Sequence, residues 1–373
     1  MKEVKKERLS SFELMRIISM IMIVMWHLIF HSGIYDVAFG AKKFVLEVLV
    51  LIGVVHVNSF VLVTGYFQYE KRFSLKRLIS IINSVWFYKV VFLIIALIIG
   101  TFTITKLEIF NELLPIDMRD YWFVNCYLVL YIISPYINIL IDKLSHEQHR
   151  KLIIISFVLF SIIPLVTNNT TISNNGYTII NFCYLYLIGA YLRKYPLKDS
   201  LPLKKYSRKQ LQLGFLVLGF FFFLINFICY QVSKSFMLMN HSLLREIGKN
   251  FFVNYRSFSN PFVIIQSILY FLYFSTLMIK SNFINSVAKH VLDVYLIHEN
   301  FYVIQTIYIW LKTLNWLNYN IYIFTILVLI VPVFIFWISI GISLIKAWIF
   351  KIVSSIKTVK KMSDKFYDFM NCI

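Results

Sequence analysis

Three side chains in the stretch "ELMRIISMIMIVMWHLIFH", residues 13–31, have the chemistry of a site: Arg16, His27 and His31, with Glu13 at its start. The rest of the stretch is apolar and long enough to span a membrane, where charged and titratable groups are costly. A helix turns about 100° per residue, so the steps from Arg16 to His27 end within about 20° of where they began. The two side chains share a face and stand about 16 Å apart along the axis. Glu13 lies one turn before Arg16 and His31 one turn after His27, spacings at which helical side chains are neighbours. An arginine suits a phosphate-bearing donor, because its guanidinium bonds phosphate in a bidentate way. A histidine deeper in the span suits general-base work, with an unperturbed pKa of about 6.5. Plainer readings stand beside these. Arg16 is shallow enough to snorkel to the head groups. His27 could be an interhelical hydrogen-bond partner. The His27–His31 spacing also occurs in metal sites, but no third ligand is evident nearby, and no metal is expected.

The elements that must hold these residues follow from composition. Of 373 residues, 59% are hydrophobic and only 15% charged, and the mean hydropathy is +0.73. A soluble domain of this length carries far more charge. Apolar runs of about twenty residues recur from end to end and are too long and too uniformly apolar for barrel strands. The expectation is an all-α polytopic membrane protein of about ten helices, a single domain over 1–373 with a basic tail at 350–373. The formal net charge of +19 is read as loop lysines and arginines that orient the spans and touch anionic lipid, not as nucleic-acid binding. Cys126, Cys183, Cys229 and Cys372 are scattered and suggest neither a disulfide framework nor a metal knuckle. The first apolar run has no small-residue cleavage site and is read as a retained helix.

The spans are placed at 12–31, 45–67, 79–101, 121–141, 151–167, 177–193, 212–231, 260–279, 287–311 and 321–349, the fifth and sixth being short. Alternate connections such as "EKRFSLKR" and "RKYPLKDSLPLKKYSRK" are basic, whereas "NNTTISNNGY" carries no charge. About 26 of the 37 basic residues fall on the N-terminal side and about nine on the other. Both termini are therefore expected in the cytoplasm, with Arg16 near the inner face and His27 nearer the outer one.

Four stretches in order carry a resemblance. They are "SSFELMRIISMIMIVMWHLIFHSG" with Glu13, Arg16 and His27, "NSFVLVTGYF" at 58–67, "YWFVNCYLVLYIISPYIN" at 121–138 and "VYLIHEN" at 294–300. Together they resemble the membrane acyltransferase-3 family over nearly the whole chain. The resemblance implies transfer of an acyl group, above all acetyl, from acetyl-CoA to a hydroxyl of a cell-surface polysaccharide, such as capsule or exopolysaccharide, or its lipid-linked precursor. It implies a plasma-membrane enzyme of a bacterium with acetyl-CoA as donor and no bound cofactor. It makes His27, Arg16 and His298 the catalytic candidates.

Other residues join on chemistry. Arg72 and Arg77, with Lys71 and Lys76, would suit the phosphates of coenzyme A on the inner face, alongside Arg16 and Ser134 near the Pro135 kink. Thr64-Gly65 is read either as helix packing or as a helix end offering backbone groups to the donor. Glu13, His31, Asn58, Trp122 and Glu299 are candidates for the acceptor side. Asn58 could orient a histidine, and Trp122 is either an interface aromatic or a sugar-stacking platform. His298 and Glu299 sit near the middle of the ninth span, where Glu299 could pair with a histidine or with Lys89. The connection 232–259, with Arg245, Lys249, Arg256 and several aromatics, is either a solvated loop or a cover for an anionic glycan. The alternative function is a transporter or flippase of lipid-linked saccharide, but the two related halves common in transporters are not seen.

Overall fold

A computed structural model describes residues 9–100, 102, 105–114, 121–167, 174–196, 201–239, 241–312 and 314–355. The basic tail beyond 355, Cys372 and residues 168–173 of the polar turn lie outside them. The described chain is helical. Among the described residues, seven helices are long and apolar enough to cross a membrane: Ser10–His31, Gly40–Gln68, Leu75–Ile99, Trp122–Lys143, His146–Thr167, Arg208–Met237 and Ile321–Val353. The fifth predicted span is therefore longer than expected. It begins five residues early because Ser145 and Gln148 form a reciprocal capping box on a polar first turn. The sixth and eighth, Ile179–Lys194 and Pro261–Thr276, are short at 16 residues each.

The first helix is the hub. It packs against the helices His56–Gln68, Pro261–Thr276, Val291–His298 and Ile321–Ser355. The most peripheral span is Arg208–Met237, which exposes Leu213, Val217, Phe220 and Phe221. In water such a stripe would be a liability; in a bilayer it is the lipid-facing surface. Cys126, Cys183 and Cys229 are free thiols.

The closest helix crossing explains Thr64-Gly65. His56–Gln68 runs past these residues without ending, and Thr64 Oγ1 donates to Phe60 of its own helix at 2.8 Å. The helix-end reading is thus corrected: Gly65 and Gly189 let two backbones touch. A Cβ on Gly65 would collide with the Tyr186 carbonyl oxygen, and one on Gly189 with that of Leu62. Small residues at a helix crossing serve this purpose. At the end of the same pair Arg193 forks onto Glu70, with Nε to Oε1 at 2.7 Å and Nη2 to Oε2 at 2.5 Å.

The ninth predicted span departs most from expectation. It is not one helix. Val291–His298 ends at His298, Glu299 leaves helical geometry, and Asn300 is extended, with φ −67° and ψ 136°. The Asn300 side chain takes over as cap, accepting from the Tyr302 N–H at 3.1 Å. Its amide nitrogen donates to Tyr121 Oη at 3.0 Å, and that hydroxyl donates to the Leu296 carbonyl at 2.8 Å. A broken helix at membrane depth is tolerated where protein satisfies the freed groups, and these bonds do so. Farther down the same helix Asp293 is bonded by Lys346 Nζ and Ser343 Oγ, both from the last helix. Lys346 Nζ also donates to Ser84 Oγ at 3.0 Å, so a buried ion pair fixes the helix bearing His298.

Gly189→Ala and Gly65→Ala should each lower the melting temperature of the detergent-purified protein, by about 1–3 kcal/mol of stability. Gly214→Ala, where a Cβ meets nothing within 4 Å, should leave it unchanged. Thermal unfolding of the three variants checks this.

Candidate functional site

The end of the Val291–His298 helix meets the first helix. Glu299 Oε2 lies 2.7 Å from His27 Nδ1 and 3.3 Å from His31 Nε2. His298 Nε2 lies 3.0 Å from the same His27 nitrogen. Four of the residues singled out from the sequence, His27, His31, His298 and Glu299, thus form one cluster from chain positions about 270 apart. Of the two partners considered for Glu299, the structure shows the histidines. Lys89 instead donates to the Asn111 carbonyl at 3.3 Å and stands 3.9 Å from Glu112.

The partners assign the protons. A carbonyl oxygen only accepts, so the 2.6 Å contact of His298 Nδ1 with Val294 O places a proton on Nδ1. In neutral His298 the lone pair is then on Nε2. His27 Nδ1 faces that lone pair and a carboxylate oxygen, two acceptors, so it carries a proton. In neutral His27 the lone pair is then on Nε2, the form a general base needs. The carboxylate holds this tautomer and would stabilise the imidazolium formed on proton uptake, the role of the acid in a Ser-His-Asp triad.

His27, His31 and Glu299 also offer ligand atoms within 4.8 Å of one another. The expectation that no third ligand is near the histidine pair is corrected: Glu299 supplies it from the far end of the chain. The three could hold a divalent ion, though the 2.7 Å spacing of Glu299 and His27 is that of a direct hydrogen bond.

His27 lines a small cavity of about 30 Å³ with Trp26, His56, Trp122, Phe258 and Tyr295, roughly the room for one water. Trp122 belongs to this wall and not to a lipid-facing belt. Its ring lies 4.5 Å from Tyr177 and stacks at 18° on Phe258, 6.0 Å away. Asn58 is fully buried and acts indirectly, donating to the Phe258 carbonyl at 2.9 Å. Gly176, at φ +89°, packs against Phe258 from the other side, and the Asn175 carbonyl accepts from the Phe258 N–H at 2.9 Å.

Sequence reasoning missed His56. It is 2% exposed, flanked by Trp26 at 5.4 Å and Phe258 at 5.5 Å. Neither of its ring nitrogens has a hydrogen-bond partner among the described residues. Buried polar groups are rarely left so, and His56 lines the cavity together with His27 and Tyr295. The signal was available: His56 is a titratable residue inside an apolar run, two positions before Asn58.

The residues expected on the inner face do not join this cluster. Arg16 Nη1 pairs with Glu13 at 2.7 Å on the first helix. Arg77 donates to Tyr127 Oη at 2.8 Å and to Gln68 Oε1 at 3.3 Å, and Arg72 is exposed. Ser134 is fully buried and donates to the Tyr131 carbonyl of its own helix at 2.8 Å, which leaves Arg77 with the better access to a ligand.

With this geometry in view, the comparisons give the class. The profile of the acyltransferase-3 family, described as an acyltransferase domain, matches residues 9–348. The chain belongs to that family and is an acyltransferase. Its apolar helices make it a multi-pass membrane protein. Searches of the curated proteins and of the solved structures found no match.

Asn300→Ala removes the cap and the bond to Tyr121. It should cost about 0.5–2 kcal/mol of stability and lower acyl transfer at least tenfold by releasing Glu299. Asn300→Asp keeps the cap oxygen and should be milder on both. Melting and turnover of the two variants test the pair of effects.

Proposed function

We propose that the protein is an O-acyltransferase that moves an acetyl group from acetyl-CoA to a hydroxyl of a cell-surface polysaccharide or its lipid-linked precursor. It works in the plasma membrane of a bacterium as a single domain of ten crossings with both termini and the basic tail in the cytoplasm. The observation that carries the reading is the contact of Glu299 with His27, within a chain of the acyltransferase-3 family. In neutral His27 that contact leaves the lone pair on Nε2, and the ring lines a cavity walled by aromatic rings.

In this scheme His27 Nε2 takes the proton of the acceptor hydroxyl as its oxygen attacks the thioester carbonyl. The new C–O bond forms, the C–S bond breaks, and the proton passes to the departing coenzyme A thiolate. A transient acetyl on His27 would give the same products in two steps. His298 holds the His27 ring, and Glu299 compensates its charge. Arg16, about 16 Å toward the N-terminal end of the same helix, uses guanidinium donors beyond its bond to Glu13 to hold donor phosphate, with Arg72 and Arg77 on the same side. His31, Trp122 and Asn58 shape the acceptor side, Asn58 through the Phe258 loop.

A positioned base supplies about 10²–10⁴-fold, or about 3–5 kcal/mol. Purified protein incubated with radiolabelled acetyl-CoA and glycan should transfer label, and His27→Ala should reduce that transfer by this factor at equal membrane levels. Undiminished transfer by His27→Ala would refute the catalytic assignment. Movement of saccharide without transfer would point to a flippase. Arg16→Lys keeps the charge but not the fork, so the KM for acetyl-CoA should rise; an unchanged KM would make Arg16 a snorkelling residue.

A further inference from the structure

A second, larger cavity, of about 520 Å³, lies beside the catalytic one. This is the size of a small-ligand site. Its walls come from the segment after the first helix (Tyr35), the start of the second span (Lys43, Glu47), the end of the Arg208–Met237 helix (Tyr230, Lys234) and the segment bearing Tyr255 and Arg256. Three cations meet one carboxylate there, a net charge of +2 by formal count.

The carboxylate is already satisfied. Glu47 is 2% exposed. It accepts from Tyr230 Oη at 3.1 Å, Lys234 Nζ at 2.7 Å and Gln231 Nε2 at 3.0 Å. Lys43 and Arg256 have no carboxylate at ion-pair distance among the described residues. Lys43 Nζ donates to the Tyr35 carbonyl at 2.5 Å and lies 3.4 Å from the Tyr35 ring centroid. Arg256 rests on aromatic faces, 4.5 Å from the Phe30 centroid and 5.8 Å from that of Tyr255. The tyrosines are linked to one another: Tyr35 and Tyr255 share a 2.6 Å hydrogen bond, and the rings of Tyr230 and Tyr255 stack at 3.9 Å. Flat rings, hydroxyls and two cations without a carboxylate at ion-pair distance match a sugar bearing an anionic group, which needs a stacking face, hydrogen-bond partners and a charge partner together.

The two cavities are neighbours. Arg256 in the larger stands two residues from Phe258 in the smaller. Phe30, under Arg256, is 5.0 Å from Trp26, which lines the catalytic cavity. We propose that the larger cavity is an acceptor subsite for an anionic saccharide residue, which Lys43 and Arg256 hold while a hydroxyl farther along the glycan reaches His27. The inference rests on the acyltransferase reading for its purpose, but binding can be measured without turnover.

The test uses the full chain in phosphatidylcholine nanodiscs and isothermal titration with a hyaluronan tetrasaccharide and its carboxyl-reduced, neutral counterpart. The acidic form should bind at least tenfold tighter. Arg256→Gln and Lys43→Gln should each remove most of that preference, and Arg256→Lys should retain part of it. Melting temperatures identify any variant that fails to fold. His27→Ala should bind as the unaltered protein does, so loss of chemistry and loss of this subsite register separately. Equal binding of the two tetrasaccharides, binding of neither, or a preference that survives both glutamine substitutions would overturn the proposal. So would elimination of the acidic ligand's binding by phosphatidylglycerol in the nanodisc, since the cavity would then belong to a lipid head group.

Discussion

A carboxylate at membrane depth is stable only where its charge is met, and Glu299 is met by two histidines of the first helix. Much else in the structure serves that contact. Glu299 closes the last turn of its helix, its N–H still bonded to the Tyr295 carbonyl at 3.1 Å, and the chain leaves helical geometry just after the contact is made. The cost of freed backbone groups is then offset by Asn300 and Tyr121. The helix leading to the break must not slide, and the buried Asp293–Lys346 pair ties it to the last helix. Removing one member of such a pair leaves a charge without its partner, which costs far more than a surface ion pair is worth.

The aromatic wall on the other side of His27 follows a similar logic with weaker forces. Phe258 is gripped by Asn58, Asn175 and Gly176, and Trp122 stacks on it. None of these residues is needed as an acid or base. Their effect is to wall a small cavity beside the His27 ring, which His56 and Tyr295 also line. The arginines away from this cluster are held differently: Arg16 pairs with Glu13 and Arg77 bonds Tyr127 and Gln68, and both remain partly or largely exposed.

What the sequence made legible divides along physical lines. Arg16 and His27 stood out because hydrocarbon penalises such residues, and helical geometry alone puts them on one face. The class of fold was legible for the same reason: long apolar runs at this density have few alternatives. His298 and Glu299 were visible as polar residues at depth, but their pairing with His27 joins positions about 270 apart in the chain, beside a helix break that Asn300 caps. Periodicity reads such a segment as a continuous span. The Asp293–Lys346 pair and the satisfied state of Glu47 link segments far apart in the chain, and no local pattern reports that. Ser134 drew attention as a serine before a proline; its hydroxyl donates to the Tyr131 carbonyl of its own helix, a bond that no sequence pattern reports.

The central claim is that Glu299 and His27 act as one unit. A double-mutant cycle on acyl transfer tests it most directly, using His27→Ala, Glu299→Gln and the two combined. If the carboxylate works through the imidazole, the double variant will be no slower than His27→Ala alone, as with residues that act as a unit. Losses that multiply, so that the double variant falls by the product of the two single effects, would mean that Glu299 acts independently of His27 and would contradict the account.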